Sequence, residues 1–144
     1  MRFISLVKSN EGMAGMPPKA FLDAMDQLVQ EAGKAGCVMV EGIGLHPTSA
    51  GARVRLSEGK VSVMDGPFTE AKEVVGGFAI FEAPSKAEML KWTTRFMDLH
   101  KKHLPGWEGE CEVRQIAGPG EKLCDQAREA QAADLTRLAL AVSK

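Results

Sequence analysis

The chain has 144 residues, 44% of them hydrophobic and 26% charged, and this size and composition predict one globular domain with a small appendage. Its formal net charge of -1 and pI of about 6.3 give none of the basic excess that nucleic acids or anionic membranes attract, so we expect neither as a partner. The apolar run at the start is too short for a signal-peptide core and no later run approaches a membrane span, which favours a cytoplasmic protein.

The cysteines and glycines exclude several kinds of site. The cysteine count is odd and lacks CxxC spacing, which indicates reduced thiols, not a disulfide framework or zinc site, at Cys37, Cys111 and Cys124. The glycine pair Gly76-Gly77 has no dinucleotide-binding or P-loop spacing. We therefore expect no cofactor.

The first half of the chain predicts a strand, a helix and a second strand. Residues 2–8 form a short apolar run typical of a strand. Apolar side chains recur at helical spacing over residues 19–35, and Gly36 is placed to end that helix. Residues 37–40 predict the second strand, which a glycine-rich loop, EGIGLHPTSAG, follows.

Residues 52–65, ARVRLSEGKVSVMD, predict a β-hairpin with Glu58 and Gly59 as its two-residue turn. The resulting register puts four apolar side chains on one face: Val54, Leu56, Val61 and Val63. Arg53 and Arg55 fall on the other face. If the second strand continues to Asp65, its carboxylate lies on the apolar face and is directed away from bulk water.

The second half predicts a strand, a helix, a strand and a terminal helix. Residues 76–83 are apolar on both faces, which is typical of a central strand. Ser85 and Glu88 form a capping box that opens a helix. Residues 110–116 alternate as a strand does, with Cys111 and Val113 on one face. Gly118-Pro119-Gly120 then separates a domain, residues 1–118, from a helical extension, residues 119–144.

This order of elements predicts an α+β fold of the ferredoxin-like type, βαβ(hairpin)βαβ, with one antiparallel sheet and a C-terminal helix. Both main helices cover the same face of the sheet in such a plan. The other face needs a partner, and a second copy of the chain is the simplest one. We therefore expect a homodimer of the dimeric α/β barrel type.

The stretch DGPFTEAKEVVGGF, residues 65–78, resembles the signature of the YCII-related family, in the branch known as DGPF-domain proteins. AGCVMVEGIGLHPTSAGARVR and GWEGECEVRQI resemble that family's second strand with its loop and its last strand. The resemblance covers roughly residues 1–117. It implies a dimeric α/β barrel with a cleft between the sheets.

The same resemblance implies a histidine–aspartate pair in the cleft, with Asp65 at the position of the aspartate. The histidine belongs near the start of the first helix, where this chain reads PPKAFLDAM, so the pair is not intact. Many members of the DGPF branch are associated with extracytoplasmic-function sigma factors, which makes a sigma-factor-linked protein a candidate partner. The family has no settled activity.

Two interpretations of Asp65 stay open. A cleft-facing carboxylate with a pKa raised by desolvation would suit a general acid or base, with His46 as its candidate partner. Asp-Gly-Pro is also typical of an Asx-turn, in which the carboxylate binds backbone N–H groups beyond Gly66. The turn is favoured by roughly two to one, and His46 is more readily explained as a surface histidine of its loop.

Other side chains are candidate ligand contacts. Arg53 and Arg55 could clamp a carboxylate or phosphate, although arginines on the polar side of a hairpin more often face solvent or a subunit. The loop supplies the remaining candidates, which are Gly66, Pro67, Phe68, Thr69 and Lys72. Phe68 is expected to seal the loop more than to stack on a ligand, and the charged run is more often a solvated face.

His100 and His103 have a spacing that can chelate a metal, but no third ligand joins them, and cationic side chains suit a helix C-terminus. We therefore predict no metal site.

Two functions are consistent with these residues. One is a dimeric protein of undefined activity that binds a small molecule near the DGPF loop, and the alternative is a small-molecule enzyme using Asp65 as general acid or base. Whether the protein is an enzyme stays open at this point.

Overall fold

The computed structural model describes residues 1–13, 15–118, 121 and 123–142. The strands of this part of the chain are β1 (Arg2–Ser9), β2 (Val38–Gly44), β3 (Ala52–Ser57), β4 (Lys60–Asp65), β5 (Val74–Glu82) and β6 (Gly109–Gln115). Its α-helices are α1 (Lys19–Lys34), α2 (Lys86–His103) and α3 (Leu123–Val142). The protein is therefore a mixed α+β chain with a C-terminal helix, in the element order that the sequence predicts.

Four strands form one antiparallel sheet in the order β2-β5-β1-β6. β5 lies between β2 and β1, which confirms the prediction of a central strand. β2 was expected to stop at Val40 but continues to Gly44. Residues 41–44 find partners along β5, and these ladder hydrogen bonds extend the strand through a glycine-rich stretch that reads as loop in the sequence.

Both helices pack on the same side of the sheet. Alternation along β1 places Phe3 and Ser5 toward the helices, and both side chains are buried. Phe3 belongs to a core cluster in which α1 contributes Leu28 and Ala32 and α2 contributes Met89 and Trp92. This single cluster ties the two helices and the central strand together.

The helix ends are set by identifiable residues. The Ser85 hydroxyl accepts a hydrogen bond from the Glu88 backbone N–H at 3.2 Å, which satisfies a free donor at the start of α2. Gly36 follows α1 with a φ of 89°, in the left-handed region that glycine adopts without strain. An ion pair between Arg95 and Glu31, at 2.7 Å, joins the exposed sides of the two helices.

The hairpin β3–β4 forms a separate two-stranded sheet with the predicted register. Glu58 and Gly59 occupy its turn with φ values of 51° and 76°, as a tight hairpin turn requires. Its four apolar side chains are 68% to 71% exposed, since no other element of the described chain covers them: Val54, Leu56, Val61 and Val63. The hairpin thus presents an uncovered apolar face, which we call the hairpin face.

Two of the three cysteines can be described. Cys37 is buried and Cys111 is half-buried, and both are free thiols. Burial raises the pKa of both thiols, which makes them poor nucleophiles. The side chain of Cys124 lies outside the described residues.

Candidate functional site

The signature loop meets two other loops, those that follow β1 and β2, and contacts of Glu11 and Thr48 hold the three loops together. The Glu11 carboxylate accepts hydrogen bonds from the backbone N–H of Thr48 and, at 2.6 Å, from its hydroxyl. The Thr48 hydroxyl oxygen in turn accepts the backbone N–H of Phe68 at 3.1 Å. The bonds from Thr48 lower the pKa of the Glu11 carboxyl. These contacts fix the start of the signature loop to the loops that follow β1 and β2.

Gly66 packs directly on the same loop. Its N–H donates to the Gly51 carbonyl oxygen at 2.9 Å, and a Cβ atom at this position would lie 1.7 Å from the Thr48 carbonyl oxygen. Only a residue without a side chain fits so close an approach. Steric exclusion therefore explains the glycine of the DGPF sequence. The peptide bond that follows it, to Pro67, is cis.

Arg53 and Phe68 form the polar and aromatic walls of a pocket. The Arg53 guanidinium carbon lies 3.9 Å from the centre of the Phe68 ring, a cation–π contact. The guanidinium also pairs with Glu70 at 2.6 Å. The signature loop is thus attached to the hairpin by its aromatic residue and by one carboxylate, and the arginine side chain is about one third exposed.

The pocket, which we call the loop pocket, has a volume of about 440 Å³ and opens to solvent. His46, Thr48 and Glu73 line it together with Arg53 and Phe68. The structure therefore brings together three of the side chains that the sequence nominates: His46, Arg53 and Phe68. An imidazole and a guanidinium in one concave site can bind the oxygens of a small acid.

The other nominated residues do not line this pocket. Gly66 and Pro67 shape the backbone next to it, whereas Thr69, Lys72 and Arg55 are exposed outside it. Thr69 and Lys72 lie further along the signature loop, and Arg55 lies further along β3. The positions of Thr69, Lys72 and Arg55 in a single chain therefore do not support the predicted ligand contacts.

Asp65 lies at the end of β4 opposite Ala52, on the hairpin face as predicted. Its side chain is exposed, and it makes no hydrogen bond or ion pair with the described part of the chain. The Asx-turn is therefore absent, because Pro67 has no N–H and the Phe68 N–H donates to the Thr48 hydroxyl. The expected shielding from water is also absent in the single chain, because nothing covers the hairpin face.

Sequence reasoning missed Glu11 and Thr48, which organise the site. They lie 37 residues apart, in loops of ordinary polar composition, and no local pattern joins them. Only the folded chain brings the carboxylate next to the hydroxyl and N–H that it binds.

His100 is buried, which its position near a helix end did not predict. Its ring contacts the rings of Phe21, Phe96 and Trp107, with centroid distances of 4.9, 4.5 and 4.3 Å. Desolvation lowers the pKa of its imidazole, partly opposed by the hydrogen bond of Nδ1 with the Phe96 carbonyl at 3.0 Å. His100 is thus an aromatic core residue, packed against the start of α1.

The searched part of the chain contains no group of three histidine, cysteine, aspartate or glutamate side chains arranged to hold a metal ion. Among its helices, none combines the length and hydrophobicity needed to cross a bilayer.

Comparison with known proteins identifies the family. The model of the YCII-related domain matches residues 1–97, which is more than half of the chain. The chain belongs to the YCII-related domain family. It is also similar to an uncharacterized protein of Rhizobium meliloti (strain 1021), with 37% identity over 102 residues, covering 69% of this chain and 75% of that protein. The matched residues of this YCII-related domain include the complete loop pocket, and β6 and α3 lie beyond them.

Proposed function

We propose that this YCII-related protein is a homodimer that binds a small acidic metabolite in the loop pocket. The observation that carries the proposal is the convergence of His46 and Arg53 on one open site walled by Phe68. The Arg53 guanidinium is paired with Glu70, so a ligand carboxylate or phosphate would take the place of the Glu70 carboxylate. That exchange favours an acidic ligand over a neutral one.

The uncovered surfaces support the dimer. Alternation along β1 and β5 places Ile4, Leu6, Phe78 and Ile80 on the sheet face away from the helices, which we call the open face. The exposed Val38 extends this face along β2, and the hairpin face adds further apolar area. Apolar surface of this extent favours association with a second copy, as in the ferredoxin-like, dimeric α/β barrel arrangement of the DGPF branch, and the strand order β2-β5-β1-β6 is compatible with it.

The dimer also gives Asp65 a role in the enzymatic alternative. Asp65 shares the hairpin face with Val54 and Val63, so a second copy that covers this face would remove water from its carboxylate. A desolvated carboxylate is suited to general acid–base catalysis. The observation in favour of this alternative is that Asp65 has no partner within the described chain that would already occupy it.

A protein partner is a further proposal, in line with the sigma-factor association of the DGPF branch. Residues 132–142 of α3 are exposed, and this part of the helix offers Leu135, Leu138 and Val142 to a partner.

A thermal-shift screen with small carboxylates and phosphorylated metabolites tests the proposed ligand. A ligand at about a hundred times its Kd adds about 2.7 kcal/mol to the free energy of unfolding, which raises the Tm measurably. We expect Arg53→Met to abolish the shift and Arg55→Met to retain it, because the second arginine lies on the same hairpin strand but outside the pocket.

Two results would contradict the proposal: no acidic compound stabilises the protein, or both arginine variants lose the shift equally. Asp65→Asn separates the two functions. Both functions predict that this variant keeps the ligand shift, but only the enzyme predicts that wild type consumes the ligand and that Asp65→Asn does not.

A further inference from the structure

The loop pocket carries charges of both signs. Apart from the imidazole of His46, the charged side chains among the described residues that line it are those of Arg53 and Glu73. Arg53 belongs to β3, whereas Glu73 directly precedes β5, so the two charges come from different elements. An acid bound by the guanidinium would leave the Glu73 carboxylate without a partner.

Glu73 is available to a ligand and is held in place by the strand that follows it. Its side chain is exposed and forms no hydrogen bond or ion pair within the described part of the chain. Val74, the next residue, pairs with Ser9 of β1, and the Gly76 carbonyl accepts the N–H of Leu45 at 2.9 Å. The pairing of β5 thus fixes the backbone next to Glu73, and the carboxylate remains free to bind a cation.

Glu70 is a second carboxylate of the signature loop, and it contacts the same arginine. It pairs with the Arg53 guanidinium at 2.6 Å but does not line the loop pocket. A ligand carboxylate that displaced Glu70 would bring a third negative charge to a site that already has Glu70 and Glu73 beside one guanidinium. Like charges repel, so an acid without a cationic group would bind against this repulsion.

A ligand that carries an ammonium group as well as a carboxylate removes this imbalance. Its carboxylate would pair with Arg53 and its ammonium group with Glu73. The other walls of the pocket are largely apolar, with Leu45, Val74 and the ring of Phe68 among them. A free amino acid with an apolar side chain has all three properties and is small enough for a pocket of about 440 Å³.

We propose that the ligand of the loop pocket is a free amino acid with an apolar side chain, whose carboxylate is bound by Arg53 and whose ammonium group is bound by Glu73. This inference rests on the acid-binding function proposed for the loop pocket. It narrows the ligand from acids in general to acids that also carry an ammonium group.

Leucine, isocaproate and isoamylamine form a matched set of probes, since isocaproate lacks the ammonium group of leucine and isoamylamine lacks its carboxylate. We expect wild type to bind leucine roughly two- to fivefold more tightly than isocaproate, the factor typical of one exposed ion pair. Isoamylamine should bind more weakly than leucine, because it offers no group to Arg53. Titrations followed in a proton–nitrogen correlation spectrum measure the three dissociation constants.

Glu73→Gln and Glu70→Gln form a matched pair of variants, because each removes one loop carboxylate and keeps the size of the side chain. Glu73→Gln should bind leucine and isocaproate equally, since the ammonium group loses its partner and isocaproate loses a repulsive neighbour. Glu70→Gln should keep the preference for leucine, because Glu70 does not line the pocket. An unchanged preference in Glu73→Gln, or loss of the preference in Glu70→Gln, would overturn the proposal.

The acid-binding function and the amino-acid ligand fail in different ways. If wild type binds isocaproate at least as tightly as leucine, the amino-acid ligand is overturned and the acid-binding function stands. If neither compound binds, the amino-acid ligand is again overturned, and the thermal-shift screen with other carboxylates and phosphorylated metabolites decides the acid-binding function by itself.

Discussion

At the scale of single residues, the identities of two positions in the signature region are constrained by different contacts. Gly66 is required by space, because the Thr48 carbonyl oxygen occupies the volume that a Cβ atom would need. Phe68 is held by two contacts: its N–H donates to the Thr48 hydroxyl, and its ring receives the Arg53 guanidinium. Thr48 therefore acts on both residues and is the centre of the loop assembly.

Gly66→Ala should destabilise the protein by on the order of 1–3 kcal/mol, because the new methyl group forces the signature loop away from Thr48. Gly51→Ala is the matched control. Its Cβ would approach the same carbonyl oxygen to an ordinary 3.6 Å, and its backbone is extended with a φ of -118°, so we expect a change within about 0.5 kcal/mol. Urea denaturation measures both, and equal stability of the two variants would rule out the steric explanation.

His100 makes the stability of the domain sensitive to mild acid. The folded protein lowers the pKa of this imidazole, chiefly by desolvation, below the value of about 6.5 that applies to an unfolded chain. The unfolded state therefore binds more protons below that pH. The contribution of His100 to stability is complete above about pH 6.5 and is lost as the pH falls toward the folded pKa.

Denaturation in urea at pH 7.5 and pH 5.5 measures this effect, since carboxylates with ordinary pKa values titrate mostly at lower pH, about 4. We expect wild type to lose more stability between these conditions than His100→Phe, which keeps an aromatic ring among Phe21, Phe96 and Trp107 but does not titrate. His46→Gln, a substitution in an exposed loop, should behave as wild type does. An unchanged acid sensitivity in His100→Phe would contradict this assignment.

At the scale of elements, the hairpin has the turn and the register that its sequence predicts, although its apolar face is not buried. The turn residues Glu58 and Gly59 adopt positive φ values, and the register follows from the length of the turn. Alternation then collects the aliphatic side chains on one face, but the rest of the described chain leaves that face open. A pair of strands is only marginally stable by itself, so an uncovered hairpin face argues for a surface that completes it.

At the scale of the whole molecule, one layer of helices covers one face of the sheet. The covered face carries the core cluster, whereas Ile4, Leu6, Phe78 and Ile80 of the open face have no layer over them in a single chain. The loop pocket lies beside the hairpin, so association of two copies through these surfaces would bring a second chain near it. Ligand binding and assembly would then be linked.

Phe78→Lys should convert the proposed homodimer to a monomer, because Phe78 lies on the open face opposite two apolar residues, Leu6 of β1 and Ile43 of β2. A buried lysine without a counter-charge at an interface costs more than the lost apolar contact. Light scattering after gel filtration should give twice the 15.5 kDa of one chain for wild type. Leu90→Lys, at an exposed position of α2, should remain dimeric. A wild-type mass of one chain would contradict the proposal.

The sequence by itself determined the order of the elements, the hairpin register, the central position of β5 and the cap at Ser85. These features depend on side-chain periodicity and on turn or cap chemistry within a few residues, and such information is present in any short window of the chain. The DGPF word likewise identified the family before any contact was known. The side of the hairpin on which Asp65 lies also followed from strand alternation alone.

Only the tertiary structure decided what surrounds those residues. The Glu11–Thr48 contact and the ring contacts that bury His100 each join parts of the chain that are far apart in sequence, and no local pattern encodes them. The environment of Asp65 also depends on the tertiary structure. Strand alternation determines on which face of the hairpin its side chain lies, but not what covers that face. The periodicity of a segment specifies which way its side chains point. Packing between distant elements specifies how far those side chains are exposed to solvent and which charged groups they contact.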